Sequence, residues 1–194
     1  MSKNILFYCL LILSFIAFCA GAFYETNIEG SGKTQLIELL SSYYVSENIP
    51  SLIQVFLSRI KSTFLTWFFL LICPLVPLFA IISPLFLISK GFSLGFSATM
   101  IIENFGYSGT LYIISSILPQ GTLQLPILCL LTIFSLELSV YFLKFYTQAS
   151  QRKKNKKVLL ISARHYILIF ILGFIGLTIS CLIEVFLTQF LLWS

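Results

Sequence analysis

The sequence predicts an all-α fold, a polytopic membrane helical bundle of about five transmembrane helices, and three observations support it. Hydrophobic residues make up 58% of the 194 residues and charged residues only 10%, which a soluble core of this size does not permit. The chain also contains apolar runs near the length of about 20 residues that spans a bilayer core as a helix. Basic residues concentrate in one short segment, as expected of a cytoplasmic loop. Residues 1–194 are therefore predicted to form a single membrane domain.

The first apolar run, residues 5–24, is predicted to cross the membrane outward, because Lys3 before it marks a cytoplasmic end. An Ala-Gly-Ala sequence ending at Ala22 resembles a signal-peptidase site. The run is long for a signal core, so an uncleaved anchor is favoured and cleavage at Ala22 is the alternative. Residues 25–62 are predicted to be an external amphipathic segment with two surface helices, the second starting near Pro50.

Four further spans follow this external segment. Residues 63–88 carry three prolines and are predicted to return inward as one kinked helix. Residues 92–118 form the third predicted span. Glycines and prolines interrupt residues 103–126, which are either part of one kinked crossing or a short crossing plus a re-entrant hairpin. The last two spans are residues 127–147 and 165–191.

Charged residues at the ends of the spans predict the orientation of the chain in the cell membrane. Lys90 marks the inner end of the second span, and the loop of residues 148–164 gives the strongest cytoplasmic signal. The basic residues of that signal are Arg152, Lys153, Lys154, Lys156 and Lys157. The amino terminus is therefore predicted to be cytoplasmic and the carboxyl terminus extracytoplasmic.

Polar side chains inside the predicted spans are the candidate functional residues, since an ionised carboxylate at mid-membrane costs about 2.5 kcal/mol or more. They are Glu103, Gln124, Glu137 and Glu184. For Glu137 and Glu184, a polar path or subunit contact and a bond to Ser, Thr or Tyr on a neighbouring helix remain equal alternatives. Glu103 is expected to cap a helix break. Gln120 and Gln124 are expected to bond backbone groups that nearby prolines leave free.

The sequence contains no pattern of residues that predicts catalysis, metal binding or a cofactor. The chain has one histidine, His165, and its five cysteines are scattered without a Cys-x-x-Cys pair. Gly32, Lys33 and Thr34 resemble the end of a phosphate-binding loop, but Asn27 stands where that pattern needs glycine. Topology explains the net charge of +5 better than nucleic-acid binding does. We therefore expect a protein that is not an enzyme and has no nucleic-acid partner.

Residues 90–126 resemble the central signature of the stage II sporulation protein M family. That signature has a Lys-Gly-Phe-x-x-Gly-Phe helix start, a Gly-x-x-Gly turn, and Leu-Pro-(Gln or His) followed by five residues and a proline. The matching residues are Lys90, Gly91, Phe92, Gly95, Phe96, Gly106, Gly109, Leu118, Pro119, Gln120 and Pro126. Gly91, Gly95 and Thr99 also repeat a small residue every fourth position, which predicts a close helix contact. A late span with an acidic residue, here Glu184, extends the likeness.

The resemblance implies a non-enzymatic membrane anchor that holds peptidoglycan-degrading proteins at the septum during sporulation engulfment. It implies cell-wall hydrolases as partners. Membrane lipid and a second copy of the chain are separate candidate partners. The alternative is a membrane component of peptide or bacteriocin export or immunity that works with an ABC-type ATPase. In that alternative Gln120, Gln124 and Glu137 would line a polar path.

Overall fold

The structure is a computed structural model that describes residues 3–27, 52–76, 82–147 and 152–192. Every regular element in these ranges is helical, which confirms the predicted all-α fold. The α-helices are α1 (Lys3–Thr26), α2 (Leu52–Ile72), α3 (Ile82–Tyr112), α4 (Leu125–Thr147) and α5 (Arg152–Leu192). A 3-10 turn, Cys73–Leu75, follows α2, and two π-helical turns, Ile113–Ile117 and Gln120–Gln124, join α3 to α4.

By length and composition, four described stretches can cross a membrane. They are Asn4–Thr26, Phe56–Leu75, Ile82–Thr147 and Leu160–Thr188. The third stretch has 66 residues, or about 100 Å of helix, which is about three times the thickness of a bilayer core. It therefore cannot be one straight crossing.

Residues 82–147 fold into a helical hairpin that turns at Gly106, so residues 82–105 form its first arm and residues 107–147 form its second arm. Gly106 has φ 54° and ψ −123°, a conformation that glycine adopts without the steric penalty of a Cβ. The second arm then returns along the first: an ideal Cβ on Gly109 would lie 2.5 Å from the carbonyl oxygen of Ile101. Deeper in the hairpin, Ile117 joins a buried apolar cluster formed with side chains of the first arm.

Helix α1 packs along the first arm of the hairpin through glycines. An ideal Cβ on Gly95 would lie 1.9 Å from the carbonyl oxygen of Phe18, and one on Gly91 would lie 2.5 Å from that of Ser14. Small residues permit such close helix contacts inside membranes. Because the residue numbers rise together along the contact, α1 and the first arm run parallel.

Helix α5 runs antiparallel to α2. Near one end of the bundle Thr63 Oγ1 lies 3.3 Å from Cys181 Sγ, and farther along the Trp67 indole N–H donates to the Phe170 carbonyl at 2.9 Å. Residue numbers therefore rise along α2 as they fall along α5. The rings of Trp67 and Phe174 also meet, with centroids 4.9 Å apart.

Helix α4 is antiparallel to α5 as well, since Leu131 meets Gly173 and Ile127 meets Gly176. Together with the hairpin turn, these contacts give a bundle in which α1, the first arm and α5 point one way. Helix α2 and the second arm point the other way. This alternation is compatible with five crossings, and the number of crossings and their sidedness stay predictions.

The second predicted span is wrong as a single helix. We predicted one kinked helix over residues 63–88, whereas α2 and α3 are separate helices in this region. Pro74 accounts for the end of α2, because it has no N–H to donate to the carbonyl of Leu70. Pro84 does not break α3, because it lies in the first turn, where proline is tolerated. Pro77 lies outside the described residues.

Side chains of two other helices satisfy the backbone carbonyls at the end of α2. The Tyr166 hydroxyl of α5 lies 3.0 Å from the carbonyl oxygen of Leu70 and 3.1 Å from that of Leu71. Ser135 of α4 approaches the Leu70 carbonyl at 3.5 Å. Tyr166 is buried, so these contacts replace the hydrogen bond that Pro74 removes inside the bundle.

Replacing Tyr166 with Phe is expected to lower the free energy of unfolding by about 1.5 kcal/mol, because buried carbonyls lose a donor while the ring remains. Unfolding of the purified protein by SDS in mixed detergent micelles measures this change. Tyr146→Phe is the matched control, since its side chain is exposed. Equal stability of the Tyr166→Phe variant and the wild type would contradict the assigned role.

The predicted external segment is partly helical and continuous with an apolar helix. Residues 52–62 form the first half of α2, and the stretch that can cross a membrane already begins at Phe56. The physical reason is that no glycine or proline lies between Pro50 and Pro74, so nothing separates the amphipathic pattern from the apolar run. Residues 25 and 26 of the predicted segment form the end of α1, and residues 28–51 lie outside the described part of the chain.

The predicted basic loop, residues 148–164, is helical from Arg152 onward. Lys and Arg favour helix, and no glycine or proline occurs between Arg152 and Leu172. Helix α5 has 41 residues and is therefore about 60 Å long, about twice the thickness of a bilayer core. The side chains of residues 152–159 lie outside the described part of the structure.

Candidate functional site

Three helical segments bring a charged cluster together near one end of the bundle. Helix α2 contributes Arg59, the second arm of the hairpin contributes Tyr112 and Ser116, and α5 contributes Glu184. Each residue lies about 6–10 residues, or about 9–15 Å, from the end of its helical arm. The cluster is therefore inside the bundle and below the hairpin turn.

The cluster is a closed network of hydrogen bonds around one ion pair. Arg59 Nε lies 3.2 Å from Glu184 Oε1. Arg59 Nη2 donates to the Tyr112 hydroxyl at 3.2 Å and to the Ser116 hydroxyl at 3.3 Å. Ser116 in turn donates to the same Glu184 oxygen at 2.8 Å. The two charged side chains are thus joined directly and through Ser116.

The two members of the ion pair differ in burial. The Glu184 side chain is 2% exposed, and that of Arg59 is 37% exposed. A carboxylate in a bilayer is costly unless it is paired, and charge-assisted hydrogen bonds are the strong ones. The network thus explains how the Oε1 oxygen of Glu184 is accommodated. It includes a serine on a neighbouring helix, as one interpretation expected, and an arginine that we had not predicted there.

Lys90, the first residue of the sequence signature, lies on the first arm of the hairpin. It is half-buried and within electrostatic range of Arg59, Glu184 and Cys181. We predicted Lys90 at the inner end of the second crossing, and its position relative to the membrane stays a prediction. It lies within α3, about 12 Å along the helix from Ile82, because the second predicted span is two helices.

A polar stripe on α5 connects the cluster to the proline-containing part of the hairpin. Ser180, Cys181 and Glu184 share one face of α5. The Ser180 hydroxyl lies 3.5 Å from the carbonyl oxygen of Pro119, and the Gln124 amide lies 3.7 Å from Cys181 Sγ. We expected Gln124 to bond a backbone group, whereas the described contact of its amide is with this sulfur.

The other two predicted carboxylates lie apart from the cluster. Glu137 lines a cavity of about 220 Å³ between α4 and α5, together with His165. Thirteen residues separate it from Gln124, or about 20 Å of helix. Glu103 is exposed three residues before Gly106. The structure thus does not bring Gln124 and Glu137 together in one polar path.

The groups at the charged cluster determine what it can bind. The groups joined by the described contacts are one cation, one carboxylate and two hydroxyls, and the charges of Arg59 and Glu184 balance each other through charge-assisted bonds. Within the four described ranges, no three His, Cys, Asp or Glu side chains come together as metal ligands.

Two glycines of the sequence signature lie where α1 meets the first arm. Gly91 and Gly95 face α1, as described above. Phe92 and Phe96 on the same arm are half-buried, and the Phe92 ring lies 5.7 Å from the ring of Tyr24 in α1. The first part of the signature thus forms the contact with α1.

Both π-helical turns precede a proline of the signature. Ile113–Ile117 ends two residues before Pro119, and Gln120–Gln124 ends two residues before Pro126. A proline lacks a backbone donor and crowds the carbonyl four residues earlier, and a wider π turn accommodates both effects. The side chain of Gln120 lies outside the described part of the structure.

The comparison with protein families covers both the signature and the cluster. The pattern of the stage II sporulation protein M family matches residues 5–189, a range that includes the whole cluster. The chain belongs to the stage II sporulation protein M family. This membership supports a sporulation-related membrane protein. No curated protein and no solved structure is significantly similar to the chain.

The sequence analysis did not predict three residues of the cluster, Arg59, Tyr112 and Ser116. We assigned Arg59 to the external segment, although the apolar run that crosses the bundle already begins at Phe56. A buried carboxylate such as Glu184 needs a cation inside the bundle, and that requirement could have drawn attention to Arg59. No feature of the sequence distinguishes Tyr112 and Ser116 from the other polar residues of the hairpin.

Proposed function

We propose that this protein is a non-enzymatic membrane scaffold that anchors peptidoglycan-remodelling proteins during engulfment in sporulation. The observation that carries the proposal is the family match over residues 5–189. The charged cluster supports it, because Arg59 and Glu184 bond each other and connect three helical segments. The close glycine contacts of α1 also suit a rigid platform. The chemistry of wall cleavage then belongs to the partners.

Affinity purification tests the scaffold. A tag on the carboxyl terminus is used to purify the protein from detergent-solubilised sporulating cells of its native host, and mass spectrometry identifies co-purified proteins against an untagged strain. Cell-wall hydrolases are expected. Recovery of an ABC-type ATPase with a short peptide precursor instead would overturn the scaffold and support the export or immunity alternative.

One observation favours that alternative. The cavity lined by Glu137 and His165 lies toward the basic start of α5, the end at which a cytoplasmic ATPase would bind. The variant Glu137→Ala separates the two functions. A scaffold keeps its hydrolase recovery and engulfment, scored by membrane-dye microscopy, whereas an exporter or immunity protein loses peptide export or resistance.

We also propose that the amino terminus is cytoplasmic and the carboxyl terminus is outside the cell. The support is the concentration of five basic residues between Arg152 and Lys157, together with the alternating directions of the helices. The hairpin turn at Gly106 is then on the outer side, and the start of α5 is on the inner side.

Cysteine labelling is expected to report this orientation. Tyr107 and Tyr146 are 80% and 66% exposed and lie at opposite ends of the second arm, about 58 Å apart along a straight helix. In a variant without the five native cysteines, Tyr107→Cys should react with a membrane-impermeant maleimide in intact cells. Tyr146→Cys should react only after permeabilisation. The opposite result would reverse the orientation, and labelling of both in intact cells would contradict a crossing between them.

A further inference from the structure

We propose that the cavity between α4 and α5 binds a primary ammonium group on a short alkyl chain. The ethanolamine headgroup of a phospholipid and a soluble alkylamine both carry this group. The binding site is independent of the scaffold function. Its support is the size and position of the cavity, its acidic and aromatic lining, and its hydrogen-bond acceptors.

The cavity forms where α4 and α5 separate toward the start of α5. The helices touch at Gly173, where an ideal Cβ would lie 2.7 Å from a methyl carbon of Leu131. Gly173 is the first glycine of α5, so every earlier residue of the helix carries a side chain that keeps α4 farther away. The volume left between the helices is about 220 Å³. A water molecule occupies about 30 Å³ and a drug-sized pocket about 300 Å³ or more, so the cavity has room for a small organic group.

The cavity opens to the outside of the bundle near the end of a crossing. Two of its lining residues, Ile161 and His165, are exposed. The stretch of α5 that can cross a membrane begins at Leu160, so they lie about 1.5 and 7.5 Å inside that stretch along the helix axis. Lipid headgroups lie next to this level. A lipid headgroup and a molecule from the aqueous phase can therefore both enter.

The lining of the cavity favours a cation. Glu137 supplies a carboxylate, and Phe134, Tyr141 and Tyr166 supply aromatic rings. Aromatic rings attract a cation at their faces, and a carboxylate attracts it by charge. Of the described side chains, none that lines the cavity is a lysine or an arginine. An anion would therefore meet repulsion from Glu137 without a compensating cation from this lining.

The acceptors of the cavity favour a primary ammonium over other cations. His165 Nδ1 lies 2.9 Å from the carbonyl oxygen of Ile161. A carbonyl only accepts, so in the neutral ring Nδ1 carries the proton and Nε2 is an acceptor. Glu137 and Ser162 supply further acceptors, and a primary ammonium has three N–H donors for this set. A quaternary ammonium has no such donor. Within the described ranges, no three His, Cys, Asp or Glu side chains form a metal site.

Native mass spectrometry of the purified full-length protein in detergent tests the site. The probes are phospholipids with identical acyl chains and an ethanolamine, choline or glycerol headgroup. Wild type should bind the ethanolamine lipid about tenfold more tightly than the other two. Glu137→Gln should reduce this preference to about twofold or less, because it removes the charge and keeps the shape. Glu103→Gln is the matched control and should keep it, since Glu103 is an exposed carboxylate at the hairpin turn.

Calorimetric titration of the same preparations with soluble ethanolamine and with choline distinguishes the two sources of the ammonium. Binding of soluble ethanolamine, lost in Glu137→Gln, supports a soluble amine as ligand. Selectivity among the lipids without binding of the soluble amine supports a lipid headgroup.

Two results would overturn the site. In wild type, equal binding of the ethanolamine and choline compounds in both assays would show that the cavity does not recognise a primary ammonium, whether or not any variant folds. Undiminished selectivity in Glu137→Gln would show that the ammonium binds elsewhere. Either result leaves the scaffold function unaffected.

Discussion

Replacing Glu184 with Leu is expected to lower the free energy of unfolding by about 3 kcal/mol, measured by SDS titration in mixed micelles. The change leaves the Arg59 guanidinium without its anion and the Ser116 hydroxyl without its acceptor. Breaking a fully buried ion pair costs about 3–5 kcal/mol. The expected loss is at the lower end of that range, because Arg59 is 37% exposed and partly screened.

Removing both charges is expected to be less damaging than removing one. The double variant Arg59→Leu/Glu184→Leu leaves no uncompensated charge from this pair. Its free energy of unfolding should therefore exceed that of Glu184→Leu alone by at least about 1 kcal/mol. Glu103→Leu is the matched control, since Glu103 is exposed and should change stability by no more than about 0.5 kcal/mol. Additive losses in the double variant would show that Arg59 and Glu184 are not coupled.

The all-α class could be predicted from sequence because it follows from local patterns. Long apolar runs fix the presence of helices, and the four-residue repeat of Gly91 and Gly95 indicated a close helix contact without showing that α1 fills it. The limits of α2 were not predictable in this way. Three prolines occur close together, and which of them stops a helix depends on whether each lies at a first turn or an interior position.

The candidate site could be predicted only in part. Glu184 was identifiable because a carboxylate in an apolar run is unusual. Its need for a cation made Arg59 a candidate, but the pairing itself was not predictable, because the two residues are far apart in the chain and meet only when α2 and α5 pack antiparallel. The same holds for Lys90, whose position relative to Glu184 depends on where α3 begins. Pairing across helices is a tertiary property that no local pattern contains.

Replacing Gly95 with Ala is expected to lower the free energy of unfolding by about 3 kcal/mol, the upper part of the usual range for overpacking. An ideal Cβ there would lie 1.9 Å from the backbone carbonyl oxygen of Phe18, so α1 must move away as a whole. That movement also disturbs the contact between Gly91 and Ser14. SDS titration of the purified variant measures the loss.

The sign of this change is informative, because Gly→Ala inside an exposed helix normally stabilises by about 0.5–1 kcal/mol through backbone entropy. Gly121→Ala is the matched control: it lies in the same hairpin, and a Cβ there would meet nothing within 4 Å. The control should therefore be neutral or slightly stabilised, while Gly95→Ala is destabilised. If both variants are as stable as the wild type, α1 does not lie against the first arm at Gly95, and the close contact derived from Phe18 is wrong.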